Sequence, residues 1–390
     1  MSDLERRMSI HLSILALMGE SGFSPTGRDA ERFLFFGVAL QSHDEELLYE
    51  TCTLALDQIL DESLTDAPVV DAFTLFPPST ELMLKLYQER REVRAVLFSL
   101  WHRLGIDLPA GLVNQAELQH EDKHLQYEMM TYTANNPFFR VDLFRTYYGP
   151  LLKPAGRFPL HESLLEPVLW AGMVRGDTDA SNALRRAVEE ATAPEVKAGL
   201  LRLMALNGAP DQLPVLLESF ERSTSFDSRW WALAGTAECT PHLIQQLGQP
   251  EFADRVHDDW IFLTNVALPE RPALMLVDEE GDRVDPDAEL ENRVKLVPDA
   301  HYAQSWWEAN RAVWGEQRWV MGQPATPEWL FDLCLEYAGE FTDDLTDLLA
   351  LKLQRPLGLG CRWGWQDLRL NALAVLKRSS LFSTPVNQLR

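Results

Sequence analysis

Apolar positions recur along this chain at three- and four-residue spacing. Leu82, Leu86, Val93, Val96, Leu97, Leu100 and Leu104 trace one such stripe. Ala198, Leu201, Ala205 and Leu206 trace a second, and Leu213, Leu216, Leu217 and Phe220 a third. A period near 3.6 places each set on one face of a helix. Gly and Pro fall between the runs, where they punctuate helices instead of breaking them. Runs alternating with period two are scarce, so the pattern predicts an all-α chain.

The helices themselves recur as a phrase. Residues 182–191 form an apolar helix, Thr192-Ala193-Pro194-Glu195 a short turn, and Val196-Lys197-Ala198 the opening of a second helix. Glu195 in that first turn suits the positive end of the helix dipole. The phrase returns at 82–104, with Glu92-Val93-Arg94-Ala95, and at 215–237, with Asp227-Ser228-Arg229-Trp230-Trp231-Ala232. Degenerate copies fall at 33–58, 125–148 and 243–265. The phrase resembles the HEAT repeat in its short bacterial, PBS-lyase-like variety, over residues 33–265. A helix pair of this kind cannot bury its apolar face alone, so stacking into an α-solenoid is expected. An irregular helical bundle is the alternative. The expected organisation is a HEAT-like solenoid over 1–270, an acidic linker or loop over 271–300, and a Trp-rich helical region over 301–390. The linker is placed by residues 278–291, which hold eight acids and one base. A calcium loop there lacks the required order of Asp and Gly.

Seven of the twelve tryptophans fall between Trp306 and Trp365. Trp306-Trp307, Asn310, Gly315, Arg318, Gly322 and Pro324 resemble the tail signature of a bacterial HEAT-repeat family associated with type VI secretion gene clusters. That resemblance implies a protein-binding role beside such a system: an immunity protein that neutralises a cognate toxin, or an adaptor that holds an effector for loading onto the secretion spike. It implies no catalytic residues. Read from the residues alone, these tryptophans are core that closes the end of the solenoid.

Charge narrows the partner. Thirty-five basic against fifty-nine acidic residues give a formal net charge of −24. Nucleic-acid binding needs a basic footprint, and anionic lipid would be repelled, so neither nucleic acid nor membrane is expected as a partner. A basic toxin or effector domain is, and this favours immunity against a nuclease toxin. No apolar stretch reaches the about 18 residues of a spanning helix. The run 10–18 reads as an amphipathic helix and not as a signal peptide, because no small-residue cleavage pattern follows. Cys52, Cys239, Cys334 and Cys361 stand far apart, as reduced thiols do in a cytoplasmic protein.

Two constellations carry candidate chemistry. His120-Glu121-Asp122-Lys123-His124 has the spacing of a zinc hydrolase: on one helix, His120 and His124 would share a Zn²⁺ while Glu121 activates water. Charged Asp122 and Lys123, and the missing third ligand, oppose that reading. His257-Asp258-Asp259 lacks a nucleophile and reads as a polar helix start. No phosphate loop or nucleophile elbow occurs. The expectation is therefore a non-enzymatic protein with no cofactor. The second constellation is a stripe. From Trp319 to Leu351 there is no Lys or Arg, and Glu328, Asp332, Glu336, Glu340 and Asp344 repeat every fourth residue. On one helix they would repel, at a few tenths of a kcal/mol per pair, so helix stability does not explain them. They are the candidate partner-binding residues.

Overall fold

The computed structural model describes residues 36–37, 39–41, 43–61, 67–108, 112–113, 118, 122–222, 227–274, 294–337, 339, 341–358 and 366–378. The described residues are mostly helical, at 69% helix with little sheet. It divides into two compact units, 1–139 with 357–390, and 140–356. The expected boundaries at 270 and 300 therefore fall inside the second unit, and the last residues group with the first. The run 10–18 and Cys361 lie outside the described residues.

In the first unit, α1 (Glu45–Asp61), α2 (Ala67–Leu75), α3 (Thr80–Glu89), α4 (Arg94–Leu104) and α5 (Lys123–Asn135) are joined by the C-terminal α17 (Gln366–Arg378). Ser79 caps α3 by accepting from the Leu82 amide. Gly105 ends α4 at φ +70, a left-handed turn that a side chain would oppose. The core between α3, α4 and α5 is aromatic. Phe98 meets Trp101 and Tyr87 edge-on, with ring centroids 5.4 and 5.8 Å apart, and Tyr132 of α5 at 5.8 Å. Such pairs add to what area burial alone supplies.

The second unit contains α6 (Val141–Tyr148), α7 (Leu165–Met173), α8 (Thr178–Glu190), α9 (Pro194–Asn207), α10 (Leu213–Arg222), α11 (Arg229–Ala234), α12 (Thr240–Leu247) and α13 (Ala253–Thr264). The phrase 182–201 is the α8–α9 pair, and Pro194 stands in the first turn of α9, where its missing N–H costs nothing. Helices α7, α9, α11 and α13 pack in series, each on the next, while α8 packs on α7 and α9, and α12 on α11 and α13.

Two small sheets depart from the expected all-helical chain. Strands β1 (Glu270–Leu274) and β2 (Val294–Pro298) pair antiparallel with Glu270 opposite Pro298. They flank 275–293, which lies outside the described residues, so the expected acidic linker or loop connects two paired strands. Strand β2 packs on α13, and Val297 is buried while Leu296 is exposed. Five residues are too few for that alternation to stand out in the sequence. Then follow α14 (Ala300–Trp314), β3 (Trp319–Val320), β4 (Gln323–Pro324), α15 (Pro327–Glu336) and α16 (Thr342–Leu353). Helix α14 packs on α12, and α16 on both α15 and α9. Among the described residues, no helix is long and apolar enough to cross a membrane. Cys52, Cys239 and Cys334 are buried free thiols. Burial pushes Cys52 up to about 12 and Cys239 up to about 11, which leaves both as unreactive thiols at neutral pH.

Candidate functional site

The segment 318–322 runs across the carbonyl ends of three successive helices. Helices α9, α11 and α13 each stop at a left-handed residue: Gly208 at φ +58, Gly235 at φ +60 and Asn265 at φ +56. Helix ends leave carbonyls without intrahelical donors and carry partial negative charge. Arg318 meets two of these ends. Its Nη1 donates to the Leu206 carbonyl at 2.6 Å, its Nη2 to Ala205 at 2.9 Å and its Nε to Ala234 at 3.2 Å. The backbone continues the strap, Trp319 N donating to Gly235 O, Met321 N to Phe262 O and Gly322 N to Leu263 O. Met321 and Gly322, at φ +49 and φ +74, make the tight turn between β3 and β4. Burial lowers Arg318 to about 10, still protonated at neutral pH.

Trp306, Trp307, Asn310, Arg318 and Gly322 of the tail segment are all held by contacts in this chain. Trp314 stacks on Trp319 with centroids 5.0 Å apart, Trp307 meets Trp314 edge-on at 5.0 Å, and Trp306 meets Trp260 of α13 at 5.5 Å. The Trp319 indole donates to Trp314 O and the Trp329 indole to Val320 O, so their polar edges are satisfied inside the packing. Asn310 bonds back to Trp306 O within α14.

The acidic stripe divides. Helix α15 ends at Glu336, and Glu328, Asp332 and Glu336 are exposed on it with no hydrogen bond or ion pair among the described residues. Glu340 lies outside the described residues. Asp344 corrects the expected stripe: it stands on α16, 5% exposed, and is neutralised. Arg229 Nε donates to its Oδ2 at 2.6 Å and Arg202 Nε to its Oδ1 at 3.1 Å, while Arg202 Nη2 reaches Asp347 at 2.7 Å. Burial alone would lower the Arg202 pKa, but Asp347 and then Asp344 overcome it and hold the guanidinium above its usual range. Asp344 and Asp347 are therefore compensated by arginines of α9 and α11.

A cavity of about 430 Å³ opens beside the Arg318 strap. Its wall holds Asp177, Thr178 and Ser181 from the start of α8, Asn207 and Gly208 from the end of α9, then Glu316, Arg318, Lys352 and Gln354. Asp177 is the N-cap of α8, accepting from Asp179 N, and its other oxygen is held by Tyr148 and by Arg145 Nη2 at 2.7 Å. Lys352 forms no hydrogen bond or ion pair among the described residues. Although it is exposed overall, desolvation and then the Arg318 charge lower its pKa. Lys352 and Asp177 were not singled out from the sequence. The Gly or Asn that ends α9, α11 and α13 was the available signal for where the strap docks.

The zinc motif lacks its helical frame. Asp122 is the extended N-cap of α5, accepting from the amides of His124 and Leu125, so the helix begins at Lys123 with His124 on its first turn. His120 and Glu121 lie outside the described residues. Among the described residues, no group of three or more His, Cys, Asp or Glu is placed to hold a metal. His257 and Asp259 stand inside α13, not at its start. His257 Nε2 accepts from Leu268 N at 3.1 Å, and Asp259 is buried against the Ser228 hydroxyl. No protein-family model matches the chain, nor does any curated protein or solved structure.

Proposed function

We propose that this chain is a non-enzymatic, cytoplasmic α-solenoid that binds a basic protein, and that it acts as an immunity protein against a cognate type VI secretion toxin. The serial packing of α7, α9, α11 and α13, with α8 and α12 beside them, supports the solenoid. In that arrangement the Trp-rich region acts as its C-terminal cap, with Arg318 drawing successive repeat ends together.

The observation that carries partner binding is the set Glu328, Asp332 and Glu336. These carboxylates share one face of α15, are exposed, and have no cation of their own among the described residues, unlike Asp344 and Asp347. Like charges four residues apart weakly oppose the helix that displays them. A cationic partner removes that repulsion and gains association rate. A nuclease toxin, whose nucleic-acid surface is basic, fits this chemistry.

The test is binding of the toxin encoded beside this gene to the Glu328→Lys, Glu336→Lys double variant over a salt series, with growth of cells co-expressing toxin and variant. The reading expects the wild type to restore growth. It expects the variant to fold normally, associate at least tenfold more slowly and lose most of its salt dependence. An unchanged rate and salt slope would remove α15 from the contact. Tight binding without restored growth would replace immunity by the adaptor role.

A further inference from the structure

We propose that the cavity beside the Arg318 strap is a binding site for a small oxyanion, a phosphate- or carboxylate-bearing ligand held between Arg318 and Lys352. Two observations carry this. A guanidinium has five N–H donors, and the three carbonyls at the ends of α9 and α11 use three of those on Arg318. Two remain without an acceptor among the described residues, in a residue that lines the cavity. Lys352, on the same wall, has no acceptor among the described residues for any of its three donors.

The surrounding groups favour the same sign of ligand. The N-terminus of the thirteen-residue α8 lines the cavity, and its dipole favours an anion there. Thr178 and Ser181 present hydroxyls with no side-chain hydrogen bond among the described residues. Asp177 would repel an anion, but its carboxylate is already held by Arg145, Tyr148 and the Asp179 amide. The carbonyl ends of α9 and α11, also repulsive, are covered by Arg318 itself. Glu316 is the remaining acid of the wall and is exposed. In a chain of net charge −24, two cations on one concave wall without a carboxylate partner among the described residues favour an anion there. The volume suits a metabolite-sized molecule and not a macromolecule. This inference is independent of the α15 contact.

The experiment is calorimetric titration of the full chain with inorganic phosphate and, separately, with succinate, at low ionic strength. Saturable binding of either is expected, and the arm that binds more tightly identifies the class. Lys352→Gln should weaken it by on the order of tenfold. Glu316→Gln, on the opposite side of the charge balance, should tighten it by roughly two- to fivefold. Lys197→Gln, an exposed lysine of α9, should leave it unchanged. No saturable binding in either arm, or equal affinity in wild type and Lys352→Gln, overturns the proposal.

Discussion

Arg202 on α9 donates to the carboxylate of Asp347 on α16 at 2.7 Å, across 145 residues of sequence. Asp347 is 1% exposed, and the same guanidinium also serves Asp344, which Arg229 bonds from α11. Two arginines from the helical series and two aspartates from the C-terminal region form one buried cluster. Removing one partner from such a cluster leaves an uncompensated charge, whereas removing both ends of a pair costs much less. Arg202→Met should therefore destabilise by about 3–5 kcal/mol in urea unfolding. The Arg202→Met, Asp347→Leu double variant should recover part of that loss, and strictly additive losses would show that the two groups do not act as a pair.

Gly235 should not tolerate alanine. A Cβ at Gly235 would stand 2.6 Å from the Trp319 carbonyl, at φ +60. Gly235→Ala is expected to cost about 2 kcal/mol or more, by thermal melts of variant and wild type, and an unchanged melting temperature would remove the close approach of Trp319 from the account.

Arg318→Lys should act as a loss of structure despite keeping the charge. One ammonium cannot reproduce the forked contact with Ala205, Leu206 and Ala234. A cost of roughly 2 kcal/mol is expected. Hydrogen exchange should quicken first at 319–322, whose amides bond to the ends of α11 and α13, and unchanged protection there would disconnect Arg318 from the strap.

Asp259 sets a pH dependence of known sign. Burial pushes its carboxyl up to about 7, opposed chiefly by the Ser228 hydroxyl. With the folded pKa above the ordinary carboxylate value, the folded state binds the extra proton between about pH 4 and 7. The stability linked to this group is present at low pH and lost as pH rises through about 7. Asp259→Asn keeps an acceptor for Ser228 and does not ionise. Its stability relative to wild type should increase from pH 4 to pH 7 and level off above, measured by urea unfolding at each pH.

The helices were legible in the chain because their signals are local. Pro194 and Glu195 open α9, Gly208 closes it, and the apolar stripe between them repeats every turn; all three act within a few residues. The Asp122 cap was not read from the sequence, which placed His120 to His124 on one helix; in the structure it starts α5 at Lys123. The sequence by itself therefore determined a helical chain, its turn positions and a large acidic surplus. It did not determine which acids stay at the surface. Glu336 and Asp344 look equivalent along the chain, yet one is exposed and the other bonds arginines 115 and 142 residues away. The same holds for Arg318, whose acceptors lie 84 to 113 residues upstream. Only the packing of α14–α16 onto the helical series decides these contacts, because a charge is neutralised by what stands beside it in space, and helical periodicity carries no information about so distant a neighbour.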